Sequence, residues 1–160
     1  MRFKVAVSFV ALLLLVGIAA TSSVRAADDP NNGTWKINLA KSKYNPGPAP
    51  TAGTITIKID MGTETYSSET MYATGDPVKT SFTAKTDGTD SPTMGNPYGD
   101  TISIKHTSPN HLVATIKKAG KVTMTVHVAV SADGKSRTST YSGKNADGKE
   151  VHDVVVYDKQ

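Results

Sequence analysis

The chain has no cysteine, so no disulfide supports its fold and no lipoprotein-type leader is present. Beyond the first 26 residues it has no long hydrophobic run, and no stretch shows the three-to-four-residue apolar spacing of an amphipathic helix. A nucleophile elbow, a phosphate-binding glycine loop, a zinc-protease helix and a calcium loop are all missing from the sequence. Charge of one sign is scarce as well. The 18 Lys and Arg face 14 Asp and Glu, but Arg2, Lys4 and Arg25 fall in the N-terminal stretch, and 18 less these three leaves 15 against 14. A near-neutral body offers none of the clustered cations that neutralise nucleic-acid phosphates or anionic membranes.

What is present begins with a secretory pattern. Residues 1–26 combine a basic start, an apolar core from Val5 to Ala20 and a small-residue site at Val24-Arg25-Ala26. The expected outcome is export with cleavage before Ala27, to the periplasm or beyond the cell, because the apolar core falls short of the roughly 20 residues that span a bilayer. The remaining 27–160 form one domain, long enough to bury a core.

That domain reads as all-β. Leu, Ile, Val and Phe make up only about 15% of it, a level that with high net charge signals disorder, yet the net charge is near zero and Thr and Ser fill alternating positions. Trp35, Ile37 and Leu39 alternate with polar residues, as do Ile55, Ile57 and Ile59, and Val122, Met124, Val126, Val128 and Val130. Similar runs near 65–73, 78–85, 101–106, 111–117, 136–142 and 150–158 bring the count to about nine strands. Between them stand Asp87-Gly88, Ala119-Gly120, Asp133-Gly134 and Asp147-Gly148, pairs suited to tight hairpins, and Thr107-Ser108-Pro109-Asn110, a four-residue hairpin loop. Sequential hairpins make an antiparallel meander. Closing that meander into a barrel removes the unpaired edges, whereas a sandwich needs long crossings that only two segments could supply. Those segments, Ala40 to Ala52 and Gly88 to Asp100, are rich in proline and glycine and are expected to be surface loops or lids, since proline cannot donate to a ladder.

The two ends of the domain carry a resemblance. "GTWKI" at 33–37 resembles the Gly-x-Trp start of the lipocalins and, more closely, the Gly-Thr-Trp-Lys start of the fatty-acid-binding-protein branch of the calycins; "VVVYDK" at 154–159 is similar to that branch's closing strand. The wording "GTWKINLAKSKYNPGPAP" with "DGTDSPTMGNP" also resembles a group of short exported bacterial proteins whose lipocalin-like label describes shape and implies no activity. The resemblance implies a calycin-type barrel of about eight to ten strands. Two departures qualify it. The connector "AKSKYNPGPAPTAG" is too short and proline-rich for the branch's helix pair, and its carboxylate clamp needs Arg two positions before Tyr157, where this chain has Val155. Tyr157 alone cannot neutralise a carboxylate, and Arg137 is the one arginine after residue 26.

The functional expectation is a non-catalytic exported protein that takes a small hydrophobic or amphipathic ligand inside the barrel, near Trp35, with the 88–100 loop at an entrance. Candidate ligand contacts are Trp35, Tyr66, Arg137, Tyr141 and Tyr157, of which Trp35 reads foremost as a packed plug. No cofactor and no metal is expected: His106, His111, His127 and His152 lack the close spacing of a dedicated site, and Asp87 and Asp90 read as a solvated turn rather than paired catalytic carboxylates. The Asn32-Gly33-Thr34 sequon reads as silent. The alternative is a structural or interaction module whose barrel is filled and whose surface loops do the work.

Overall fold

The computed structural model describes residues 28–160; the secretory pattern at 1–26 lies outside the described residues. Ten strands follow in chain order: β1 (Gly33–Ile37), β2 (Ala52–Asp60), β3 (Thr63–Met71), β4 (Val78–Lys85), β5 (Asp87–Met94), β6 (Thr101–Ser108), β7 (His111–Lys118), β8 (Lys121–Val130), β9 (Ser136–Lys144) and β10 (Glu150–Lys159). Each pairs antiparallel with its neighbours in sequence, and β1 pairs with β10, so the meander closes into a barrel with no free sheet edge.

Register follows from the hairpins. Ala119 and Gly120, at φ of 48° and 77°, turn β7 into β8, a double positive-φ turn that matches strand twist. Gly134 and Gly148 adopt positive φ in the β8–β9 and β9–β10 turns. At Gly143 the reason for glycine is space: a Cβ there would sit 2.1 Å from the Thr123 carbonyl oxygen of the adjoining strand.

Three expectations need correcting. The 88–100 segment is not all loop: Asp87–Met94 is the strand β5, although it contains Pro92. It survives there because β5 pairs with β4 at only two positions, Ser81 with Met94 and Phe82 with Thr93, so most of that side demands no amide donor. Gly88, at φ of 96°, accordingly lies in an irregular stretch of the β5–β6 ladder rather than in a hairpin turn. The β6–β7 loop is shorter than expected, since strand pairing runs as far as Ser108 with His111. Finally, Val122 is 59% exposed, because the register slips between Ile116 and Lys117 of β7 and carries Val122 out of the inner row.

Two buried clusters fill the barrel wall. One spans β6 to β8 around Ile104, Leu112, Met124 and Val126; the other gathers Trp35, Ile55, Ile57, Val130, Val155 and Tyr157. The β2–β3, β4–β5, β6–β7 and β8–β9 turns share one rim with the start of β1 and the end of β10. That rim is closed by the segment before β1. The Trp35 indole, fully buried, donates to the Asn31 carbonyl at 2.9 Å, and Lys159 Nζ stands 5.0 Å from the indole centroid.

The opposite rim carries the connector from β1 to β2. No helix covers it. After Ile37 the chain runs along β10, with Asn38 N–H donating to the Val156 carbonyl and Lys43 N–H to the Val154 carbonyl, both at 2.8 Å. His152 N–H donates to the Asn45 carbonyl at 2.8 Å. Pro46, Pro48 and Pro50 then turn the chain across the barrel end toward β2, as their fixed φ and missing donors suit.

Candidate functional site

Ten strands enclose more than their side chains fill. A cavity of about 590 Å³ runs through the interior, within the range of small-molecule sites. The filled-barrel alternative does not describe this interior. Its walls are the apolar inner rows of β6 to β8, including Ile104, Leu112, Val126 and Val128, and its mouth lies among Tyr44, Pro46, Tyr72, Asn96 and Tyr98. The tip of the β5–β6 loop, 95–100, thus stands at the entrance beside the proline connector. Burial pushes the Tyr98 phenol up to about 12, with Asp153 and Tyr72 adding to it.

The floor, toward the closed rim, is polar. Glu64 is the second residue of β3 and Arg137 the second of β9, so both stand one position in from the same rim. They are 2% and 6% exposed, and both line the cavity. Arg137 Nη1 donates to Ser139 Oγ at 2.7 Å, while its Nε has no partner; Glu64 Oε2 is buried without one too. Burial raises the Glu64 carboxyl to about 7, Arg137 pulls against that rise, and Asp29 adds to it.

Four of the five expected contacts meet at this cavity. Arg137 stands directly opposite Tyr157 in the β9–β10 ladder, its guanidinium carbon 5.8 Å from the ring centroid. The Arg137 side chain thus reaches Tyr157 from the neighbouring strand, while Val155 lines the cavity as an apolar contact. Tyr66 stacks on Phe82 with centroids 4.7 Å apart and planes 4° from parallel, and Tyr141 leans on Tyr98 at 6.4 Å. Burial holds the phenols of Tyr66, Tyr141 and Tyr157 above their ordinary range. The fifth, Trp35, does not line the cavity; it packs beside Ile55 in the closed end.

Glu64 escaped the sequence reading, which began the third strand at residue 65. A signal was available. The Met61-Gly62 turn, with φ of 45° and 74°, pairs Ile57 with Tyr66 and Ile59 with Glu64, placing the carboxylate on the face of the inward isoleucines. The histidines do not gather: His106 opposes Leu112 and sits 3.8 Å from Asp29, His111 bonds Ser108 Oγ at 2.9 Å, and His127 opposes Val113. Asp90 is held by Lys117 at 2.7 Å, and Asp87 accepts from the Thr89 amide at 2.9 Å. The Asn32 side chain accepts from the Ile59 amide at 2.5 Å and donates to the Ile59 carbonyl at 3.2 Å.

No protein-family profile matches the sequence, and no curated protein matches it. Two solved structures are similar in shape. The zebrafish ileal bile acid-binding protein complexed with cholic acid superposes with a TM-score of 0.52 at 14% identity, covering 82% of this chain and 99% of that one. The Mycobacterium tuberculosis protein Rv2717c gives 0.51 at 14% identity, covering 82% and 93%. At such identity the likeness shows the fold alone, a closed antiparallel β-barrel.

Proposed function

We propose that this protein binds a small amphipathic molecule inside its barrel without chemically altering it. The observation that carries the reading is the cavity of about 590 Å³ with an apolar wall on β6 to β8 and a polar floor at Glu64, Arg137 and Tyr157. Such a division suits a ligand with an apolar body and one polar head, the head downward. The bile acid-binding neighbour, seen with cholic acid, holds a ligand of that general kind in a barrel of the same type. Export before binding, as the N-terminal pattern suggests, belongs to the same proposal.

The test uses two fluorescent probes of nearly equal shape, neutral N-phenyl-1-naphthylamine and anionic 1-anilinonaphthalene-8-sulfonate. Saturable one-to-one binding is expected. Ala114 of β7 faces the cavity, whereas Val113 beside it borders a shallow groove on the outside of β7 to β9. Ala114→Trp, checked for folding by circular dichroism, is expected to abolish binding, and Val113→Trp to leave it intact. Binding that responds to Val113→Trp alone would move the site to the outer groove and end this reading.

A further inference from the structure

The floor places two opposite charges in one buried chamber without pairing them. Glu64 and Arg137 come from β3 and β9, strands separated around the barrel by β10, β1 and β2. No ion pair joins them among the described residues, and each keeps a buried polar atom without a partner. A lone structural salt bridge would close that gap and satisfy both groups. Here the guanidinium is left able to donate to an oxygen arriving from the cavity, and the carboxyl stands in the same low-dielectric space.

We infer that Glu64 and Arg137 together form a head-group site for a singly anionic amphiphile, and that Glu64 couples uptake of that anion to uptake of a proton. The inference rests on the binding reading above and adds to it the charge of the ligand and its linkage to pH. An anion held at Arg137 takes up the attraction that otherwise favours ionised Glu64 and sets a second negative charge beside it. Both effects drive a proton onto Glu64. Because coupling is reciprocal, protonated Glu64 strengthens anion binding by the same factor.

Few other ionisable groups stand around Glu64. Its pairing partners across β2 and β4 are Ile59 and Ala84, which carry no charge. On its own strand stands Tyr66, and across the chamber Tyr141 and Tyr157, all phenols held protonated by burial. From the segment before β1 comes Asp29, with His106 of β6 behind it at 3.8 Å. A guanidinium stays cationic across this range. With the Glu64 carboxyl raised to about 7 in the unliganded barrel, anion affinity is at its plateau below that pH. Above it the affinity falls, by at most about tenfold per pH unit, until the bound-state value is passed.

The experiment measures both probes between pH 6 and pH 9, a range over which the sulfonate stays ionised. The anilinonaphthalene sulfonate is expected to weaken by roughly tenfold or more, while the neutral naphthylamine stays flat. Glu64→Gln is expected to hold the sulfonate affinity at its plateau to pH 9; His106→Gln is expected to keep the wild-type slope. Titration calorimetry at pH 7.5 in phosphate and in Tris needs no variant: their different ionisation heats should report net proton uptake with the sulfonate and none with the naphthylamine. A flat sulfonate profile, a slope that survives Glu64→Gln, a slope that vanishes in His106→Gln, or absence of proton uptake would each overturn the inference while leaving the binding reading standing. Failure of both probes to bind at any pH would remove the two together.

Discussion

The β6 to β8 wall and the floor between β3 and β9 face the same cavity and are built on opposite terms. In the wall every inward position of β7, Leu112, Ala114 and Ile116, is apolar and buried, and Ile104 and Val128 continue the row on either side. In the floor the inward residues are Glu64 and Tyr66 on β3 and Arg137 and Ser139 on β9. The wall lowers the free energy of the folded chain by removing apolar surface from water. The floor raises it, because a carboxyl and a guanidinium are desolvated with polar atoms left unpartnered. Groups that cost stability in one place, on one side of a cavity, are what a head-group site requires.

Substitutions test that division, starting with the largest effect. Trp35→Ala removes a fully buried side chain from the closed end and should cost about 3–5 kcal/mol in urea unfolding. If Trp35 belonged to the floor instead, its loss would weaken ligand binding more than folding. At the floor itself the sign reverses. The folded-state value of Glu64, about 7, lies above the ordinary 4.5, so the folded chain holds the proton more tightly and loses stability as pH rises from 4.5 through 7. Glu64→Gln escapes that loss and should be more stable than wild type by on the order of 3 kcal/mol at pH 8, with the gap closing near pH 4. A Gln variant less stable at pH 8 would mean that Glu64 is a satisfied structural group. Smallest is Asp90→Asn, which removes a partly exposed ion pair with Lys117 on the outer surface. It should cost at most about 1 kcal/mol, fading with added salt.

The same division explains what the sequence made legible. The wall announces itself by strict alternation, as in Met124 to Val130, and the closed barrel follows from sequential hairpins whose glycines adopt the turn conformations their neighbours suggest. Trp35 as a plug was readable from its strand. The strand β5 was hidden by Pro92, because a rule about central ladders does not bind where one neighbour barely pairs. Val122 was misplaced by a register slip that alternation alone cannot show. Tyr66, Arg137, Tyr141 and Tyr157 could be chosen by residue type, but their convergence depends on which strands face each other across the barrel. Glu64 is the clearest case. In "TETYSSETM" polar residues occupy both faces, so nothing in the local pattern tells inward from outward until β2 fixes the register.

The most direct measurement is a crystal structure at pH 6 of the protein bound to 1-anilinonaphthalene-8-sulfonate. The account predicts the sulfonate at the floor within hydrogen-bonding distance of Arg137, with the aromatic rings against Val126 and Val128. A probe seated in the groove outside β7 to β9, or one inverted with its sulfonate at the mouth by Tyr98, would contradict it.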